Sequence, residues 1–160
     1  MARAELAEIV LQAQSAGKVV VFTNGCFDIL HVGHVRYLQQ ARSLGDLLVV
    51  GMNTDESVRR LKGPERPINS ENDRAEVLAA LECVDFVTLF GEQLPTDLIC
   101  ALKPDIDVKG GDYLPADMPE AQAVFAYGGR VEIIPFSATD SEGISTTNTL
   151  QSIAQVQSKE

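Results

Sequence analysis

Short apolar runs alternate with amphipathic stretches along the chain. The apolar runs are rich in valine, isoleucine and leucine, and they occupy residues 19–22, 47–52, 86–89, 106–109 and 131–134. Runs of this length, bounded by glycine, proline and polar residues, are typical of strands buried in a parallel sheet. The pattern predicts an α/β fold, with one doubly wound, Rossmann-like domain over residues 1–160 and a five-stranded parallel sheet.

The stretches between the strands carry apolar residues at helical spacing. We predict helices over residues 4–16, 34–44, 56–61 and 119–127, a helix that begins after Ser70, and a helix between Pro95 and Pro104. Ser145 or Thr146 is expected to cap a C-terminal helix. The helix after Ser70 should bury Val77, Leu78, Leu81 and Val84, and the C-terminal helix should present an apolar face of Leu150, Ile153 and Val156.

Composition limits the classes of protein that the chain can belong to. The formal net charge of −10 argues against a nucleic-acid-binding protein, which normally uses a basic surface. Residues 1–8 contain no long apolar run, so we expect neither a signal peptide nor a membrane anchor. Cys26, Cys83 and Cys100 form no C-x-x-C pair, which favours a reducing, cytoplasmic location.

One basic cluster stands out in this acidic chain. Arg59, Arg60, Lys62 and Arg66 place four of thirteen basic residues within eight positions, next to Gly63, Pro64 and Pro67. A solvated helix end would explain such a run of charge. The glycine and prolines predict a loop instead, and a basic loop is suited to an anionic ligand.

The two histidines of the chain, His31 and His34, lie three residues apart. They follow the first predicted strand and fall in the first turn of the next helix, where free N–H groups and the helix dipole favour phosphate. Gly33 between them removes a side chain where a phosphate would approach the backbone. His34 also begins an apolar face, so a buried core histidine is the structural alternative. Cys26 is either a nucleophile or a small buried apolar residue.

Ligands of parallel sheets bind at the carboxyl ends of the strands. Here that edge would hold the loops that begin at Thr23, Asn53, Lys109 and Pro135. The usual G-x-G-x-x-G and G-x-x-x-x-G-K-[ST] fingerprints are absent, so the sequence predicts a different kind of phosphate site.

A resemblance identifies that kind of site. Asn24-Gly-Cys-Phe-Asp28 followed by His31-x-Gly-His34 resembles the H-x-G-H motif of small nucleotidyltransferases related to cytidylyltransferases. Residues 60–63, 66–67, 108–113 and 145–148 extend the match to the branch that adenylates D-glycero-β-D-manno-heptose 1-phosphate, from about residue 20 to about residue 150. The resemblance implies transfer of AMP from ATP to this sugar phosphate, which gives ADP-heptose and pyrophosphate.

The resemblance also implies roles for individual residues. His31, His34 and Lys62 would be catalytic, because the histidines stabilise the transition state and the lysine reaches the triphosphate. The nucleotide would be bound by Thr23, Asn24, Gly25, Cys26, Phe27, Gly33, Ser145, Thr146 and Thr147. The sugar phosphate would be bound by Asp28, Lys109, Gly110 and Asp112. The resemblance further implies Mg²⁺ held mainly by the triphosphate, a homo-oligomer, and a separate sugar kinase, since no kinase domain lies within these residues.

Several of these roles have alternatives. Asp28 would either help to hold Mg²⁺ or orient a histidine, or it would only close its own loop. Lys109 could touch either phosphate. Ser145, Thr146 and Thr147 would contact the β- and γ-phosphates or simply cap a helix, and Arg74 is either a functional arginine or a salt-bridged structural residue.

The last motif departs from one branch of the family. Glycerol-phosphate cytidylyltransferases read R-T-E-G-I-S-T-T before the last helix, whereas this chain has Asp140 at the arginine position. That difference weakens the alternative of a CTP-dependent glycerol 3-phosphate enzyme, although the rest of the motif is retained. A nucleotide-binding module without catalytic activity is a second alternative.

Overall fold

The computed structural model describes residues 1–111, 114–135 and 144–157. Five parallel strands form one sheet in the order β3-β2-β1-β4-β5. The strands are β1 (Val20–Gly25), β2 (Leu47–Asn53), β3 (Phe86–Phe90), β4 (Ile106–Gly110) and β5 (Arg130–Ile134). The predicted fold is therefore confirmed. Strands β1 and β4 run further than predicted, so Asn24 and Gly110 are the last or next-to-last residues of two neighbouring strands.

Helices connect successive strands and cover both faces of the sheet. They are α1 (Arg3–Ser15), α2 (Val32–Ser43), α3 (Asp55–Lys62), α4 (Glu71–Ala79), α5 (Thr96–Leu102), α6 (Ala121–Ala126) and α7 (Thr146–Gln157), with a 3₁₀ turn at Pro115–Asp117. The side-chain oxygen of Ser70 accepts a hydrogen bond from the Asp73 backbone N–H, as its predicted capping role requires.

Alternating strand residues build two separate cores. Val21 of β1 packs with Leu38 of α2 and Leu78 of α4 on one face. Val20 and Phe22 pack on the other face, where α1, α5 and α6 supply Leu6, Val10, Leu98, Ile99, Leu102 and Val124. The sheet is therefore buried on both faces. A ligand can reach it at the ends of the strands.

The predicted apolar face of α4 is wrong in part, and that of α7 is present but exposed. Val77 of α4 is 49% exposed, because the buried side of this helix is formed by Arg74 and Leu78. The helix also ends at Ala79, before Leu81 and Val84, so these residues pack from the following turn. On α7, Ile153 and Val156 are exposed, and their apolar side faces away from the two cores.

Asp107 of β4 is a carboxylate inside the sheet. It is fully buried, and neither of its side-chain oxygens has a hydrogen-bond partner among the described residues. Burial raises the pKa of Asp107 to about 7, a rise that Glu120 increases and Lys109 opposes. Since the folded state holds this proton more tightly than the unfolded state, the stability linked to Asp107 is lost as the pH rises from about 4 through about 7.

The variant Asp107→Asn should therefore gain stability over the wild type as the pH rises. We expect similar melting temperatures near pH 4, and a Tm advantage of at least about 3 °C for the variant at pH 8. Thermal unfolding across this pH range measures the difference. The exposed Asp97→Asn variant is the control, and an equal gain in that variant would contradict the explanation.

Candidate active site

A cavity of about 660 Å³ opens at the carboxyl edge of the sheet, where the sequence predicts a ligand site. Three parts of the chain form its wall: the end of β1 with the turn into α2, the end of α3 with the loop after it, and the ends of β4 and β5 with the start of α7. The lining residues are Asn24, Gly25, Cys26, Phe27, Asp28, His31, Gly33, His34, Tyr37, Leu61, Lys62, Arg66, Gly110, Ile134, Ile144, Ser145, Thr146 and Thr147.

His31 and His34 face this cavity as a stacked pair. Their ring centroids are 3.9 Å apart and the rings are inclined by 23°. The backbone N–H of His31 donates to Nδ1 of His34 over 3.4 Å. A nitrogen that accepts a hydrogen bond carries no proton, so neutral His34 holds its proton on Nε2. The turn thus fixes which nitrogen of His34 is the donor.

Both imidazoles are neutral at physiological pH. Burial, and to a smaller extent the neighbouring His31, lower the pKa of His34 to about 4. Burial also lowers the pKa of His31. The pair therefore offers N–H donors rather than two fixed positive charges, which suits a group whose negative charge develops during a reaction.

The turn before the histidines is folded tightly around Phe27. This residue has a φ of 47°, in the left-handed region that residues other than glycine rarely adopt. Its ring packs against His34 with a centroid distance of 5.3 Å. A Cβ atom at Gly25 would lie 3.0 Å from the Phe27 ring, so the glycine allows the ring to fold back. Phe27 in turn supports the imidazole.

Asp28 holds this turn to the loop after α3. Its carboxylate accepts hydrogen bonds from Arg66 Nε at 2.6 Å, from the Ile68 N–H at 2.8 Å and from the Asn69 N–H at 3.1 Å. Its backbone oxygen accepts from the Asn69 side-chain amide at 2.7 Å. Only 1% of the Asp28 side chain is exposed. The geometry matches the loop-closing alternative, since both carboxylate oxygens are occupied.

The variant Asp28→Asn should destabilise the protein through this loop. It leaves Arg66 beside an uncharged amide, and we expect a loss of roughly 2 kcal/mol in the free energy of unfolding. Denaturant unfolding measures the loss, and hydrogen exchange should accelerate at the Ile68 and Asn69 amides. Glu56→Gln removes an exposed ion pair with Arg60 and is the control. Unchanged exchange at these two amides would contradict the anchoring role.

The basic cluster divides into two parts. Lys62, the last residue of α3, and Arg66 line the cavity. Arg59 is exposed, and Arg60 pairs with Glu56 at 2.9 Å and donates to the Gly91 carbonyl. Because Arg66 is engaged by Asp28, Lys62 is the cation of this cluster that is placed for an anionic ligand.

The sequence left two roles open for Cys26 and for Arg74, and the structure shows the contacts of both residues. Cys26 Sγ lies 3.8 Å from Asn53 Oδ1, and burial raises the pKa of the thiol, which disfavours a thiolate nucleophile. Arg74 is buried and donates to the Cys26 carbonyl at 2.5 Å and to Asp55 Oδ1 at 2.7 Å. Arg74 therefore joins the β1–α2 turn to α3, in agreement with its structural alternative.

The start of α7 completes the wall. Ser145 Oγ accepts from the Asn148 backbone N–H at 3.1 Å, and the Thr146 hydroxyl donates to the Ile29 carbonyl at 3.1 Å. These two hydroxyls cap the helix and attach it to the β1–α2 turn, while the first helical turn stays at the cavity with Thr147. Asp112 and Asp140 lie outside the described residues.

A cytidylyltransferase-like family model matches residues 22–151, most of the chain. The chain belongs to the cytidylyltransferase-like family. It is 57% identical over 148 residues, 92% of its length, to the bifunctional protein HldE of Geotalea uraniireducens. Identity is 54% over 153 residues, 96% of the chain, with HldE of Trichlorobacter lovleyi. The chain spans 29% and 30% of the lengths of these relatives, respectively.

A solved structure is also similar. The lipopolysaccharide core biosynthesis protein of Thermoplasma volcanium shares 35% sequence identity with the chain and superposes with a TM-score of 0.61. The match covers 74% of this chain and 96% of that protein. The family assignment thus agrees with the fold and with the H-x-G-H resemblance.

The family resemblance did not indicate Tyr37, which lines the cavity one helical turn after His34. Its hydroxyl lies 2.6 Å from Thr23 Oγ1 and donates to the Val108 carbonyl at 2.9 Å. A Cβ atom on Gly110 would come within 3.1 Å of the Tyr37 ring. The spacing of three residues from His34 was a usable signal, because it places both side chains on one side of α2.

Two predicted site residues lie behind the cavity wall. Thr23 is fully buried and donates to the Val108 carbonyl at 2.9 Å, so it supports Tyr37 from within the sheet. Lys109 is bound by Glu120 and Asn24. Among the described residues, neither Thr23 nor Lys109 belongs to the lining of the cavity.

Proposed function

We propose that this chain transfers AMP from ATP to D-glycero-β-D-manno-heptose 1-phosphate, releasing pyrophosphate. The observation that carries the proposal is the stacked pair of neutral imidazoles at the start of α2, facing a cavity bordered by Lys62 and the first turn of α7. The similarity to the HldE proteins and to a lipopolysaccharide core biosynthesis protein supports the sugar substrate. An ADP-activated heptose would be a precursor for that process.

The proposed reaction is a single displacement at the α-phosphorus of ATP. A phosphate oxygen of the sugar phosphate attacks in line, the bond from the α-phosphorus to the bridging oxygen breaks, and pyrophosphate leaves with that electron pair. No covalent enzyme intermediate is needed, so acceleration comes from positioning and charge stabilisation. The Nε2–H of His34 is suited to donate to the non-bridging α-phosphate oxygens. Lys62 and the N–H groups at the start of α7 are suited to the leaving pyrophosphate.

Mg²⁺ is proposed as a counter-ion of the triphosphate. Within the described ranges no cluster of three or more His, Cys, Asp or Glu side chains is placed to hold a metal ion. Asp28, the candidate ligand in the sequence, already accepts from Arg66, Ile68 and Asn69. The described residues therefore do not fit a protein-built Mg²⁺ site, and phosphate oxygens would supply most of its ligands.

The remaining proposals concern assembly, partners and location. The exposed Ile153 and Val156 of α7 are compatible with the proposed homo-oligomer. A sugar kinase activity must supply the acceptor, because the reaction consumes a sugar 1-phosphate. None of the described helices combines the length and apolar character needed to cross a membrane. A cytoplasmic location stays a prediction from the cysteine pattern.

Pyrophosphate release tests the proposed substrates. ATP or CTP is combined with heptose 1-phosphate or glycerol 3-phosphate, and each of the four pairs is assayed with Mg²⁺. We expect release with ATP and heptose 1-phosphate, and mass spectrometry should identify ADP-heptose. Release only with CTP and glycerol 3-phosphate would replace the proposal with the cytidylyltransferase alternative. Nucleotide binding without turnover of any pair would favour the non-catalytic module.

The variant His34→Ala tests the role of the imidazole pair. Loss of one preorganised donor should lower kcat by roughly 10²–10³-fold. The melting temperature should change little, because His34 is only half-buried on the cavity wall and its Nδ1 accepts a single long hydrogen bond of 3.4 Å. Gln39→Ala, an exposed substitution on the same helix, is the matched control. A loss of activity that merely follows a loss of folded protein would instead support a core histidine.

A further inference from the structure

Lys109 connects a buried carboxylate to the cavity wall. Its Nζ lies 2.7 Å from Glu120 Oε1, and only 16% of the Lys109 side chain and 7% of the Glu120 side chain are exposed. The same ammonium group donates to Oδ1 of Asn24. Asn24 lines the cavity, whereas Lys109 and Glu120 lie behind it among the described residues. Contacts between the side chains of these three residues therefore link the start of α6 to the end of β1.

The chemistry of the ammonium group decides how Asn24 is oriented. Lysine has donors and no acceptor, so the Asn24 atom that contacts it must be the amide oxygen. A flipped amide would place its NH₂ group against the ammonium. The two N–H donors of Asn24 are thus turned away from Lys109. The structure gives this amide nitrogen no protein partner within the described residues.

Glu120 keeps the ammonium in this position. A lysine on a four-carbon stem has many rotamers, and a nearly buried cation needs a charged partner. Asp107, on the same side of β4, is the other carboxylate near Lys109, and it makes no hydrogen bond among the described residues. Glu120 therefore supplies the contact that directs Lys109 towards Asn24 instead of towards the cavity.

We propose that Glu120 and Lys109 are positioning residues that fix the side-chain amide of Asn24, so that its N–H groups donate to an oxygen atom of a bound substrate. The acceptor is a phosphate or hydroxyl oxygen of ATP or of the sugar phosphate. This inference rests on the proposed function for the identity of these substrates. It differs from a direct contact of Lys109 with phosphate, because Lys109 acts here through Asn24.

A double-mutant cycle separates these two roles of Lys109. Asn24→Ala should lower kcat/KM for one substrate by roughly 10–100-fold, the effect of losing a hydrogen bond to a charged group. Lys109→Met, which keeps the length of the stem, should lower the same kcat/KM to a similar extent. The kcat/KM of the double variant should lie within about twofold of that of the less active single variant. In the absence of the Asn24 amide, Lys109 has no group left to position. Multiplying losses would overturn the proposal.

Variants of Glu120 test its contact with Lys109. Glu120→Gln retains an oxygen that can accept from Lys109 but loses the charge, so it should lose less in kcat/KM than Glu120→Leu, which should approach the loss of Lys109→Met. Glu132→Gln alters the exposed ion pair with Arg130 and is the matched control, with unchanged kinetics. Effects on KM must fall on the same substrate in all variants, and that substrate identifies the ligand of Asn24.

A measurement without turnover distinguishes a failure of this inference from a failure of the proposed function. The side-chain amide resonances of Asn24, assigned by their loss in Asn24→Ala, should shift in Lys109→Met and Glu120→Leu and stay in place in Glu132→Gln. If AMP transfer fails and these shifts occur, only the proposed function is wrong. If AMP transfer occurs and the resonances do not respond to Lys109→Met, the positioning inference is wrong.

Discussion

The site depends on ionic contacts that secure one turn of the chain. Asp28 accepts from Arg66 and two backbone N–H groups, and Arg74 donates to the Cys26 carbonyl and to Asp55. These contacts offset the left-handed backbone of Phe27, which costs about 1–2 kcal/mol. A buried charge that lost its partner would be strongly destabilising. The turn therefore keeps one conformation, and the loop that carries Arg66 is fixed with it.

That constraint explains how an acidic protein can present donors to an anion. The formal net charge is −10, yet the cavity wall contains Lys62, Arg66, two imidazoles and the start of α7. Among the described residues of this wall Asp28 is the carboxylate, and its negative charge faces Arg66 at 2.6 Å. Repulsion between Asp28 and a bound phosphate is thereby reduced. Local placement, not net charge, determines the electrostatic character of the site.

The sequence predicted the features that depend on residues close together along the chain. The five strands and the turn with His31 and His34 follow from local patterns of apolar residues, glycine and caps. The partners of Asp28 and Lys109 were not predictable, since Arg66 and Asn24 lie 38 and 85 residues away. The spacing of apolar residues also predicted the wrong buried side for α4. Such spacing counts only apolar residues as buried, whereas Arg74 is a buried charged residue of this helix.

The histidine pair and the contacts to β4 both depend on the central strand β1 and the helix that follows it. The histidine pair sits on the first turn of a helix that leaves the central strand, so its geometry follows from the sheet itself. The part of the wall beside β4 is built by Tyr37, which packs against Gly110, and by Asn24, which Lys109 contacts; each of these contacts joins α2 or β1 to β4. Because Asn24 precedes this turn and Tyr37 lies one helical turn after His34, the histidine pair and the contacts to β4 belong to one continuous part of the cavity wall.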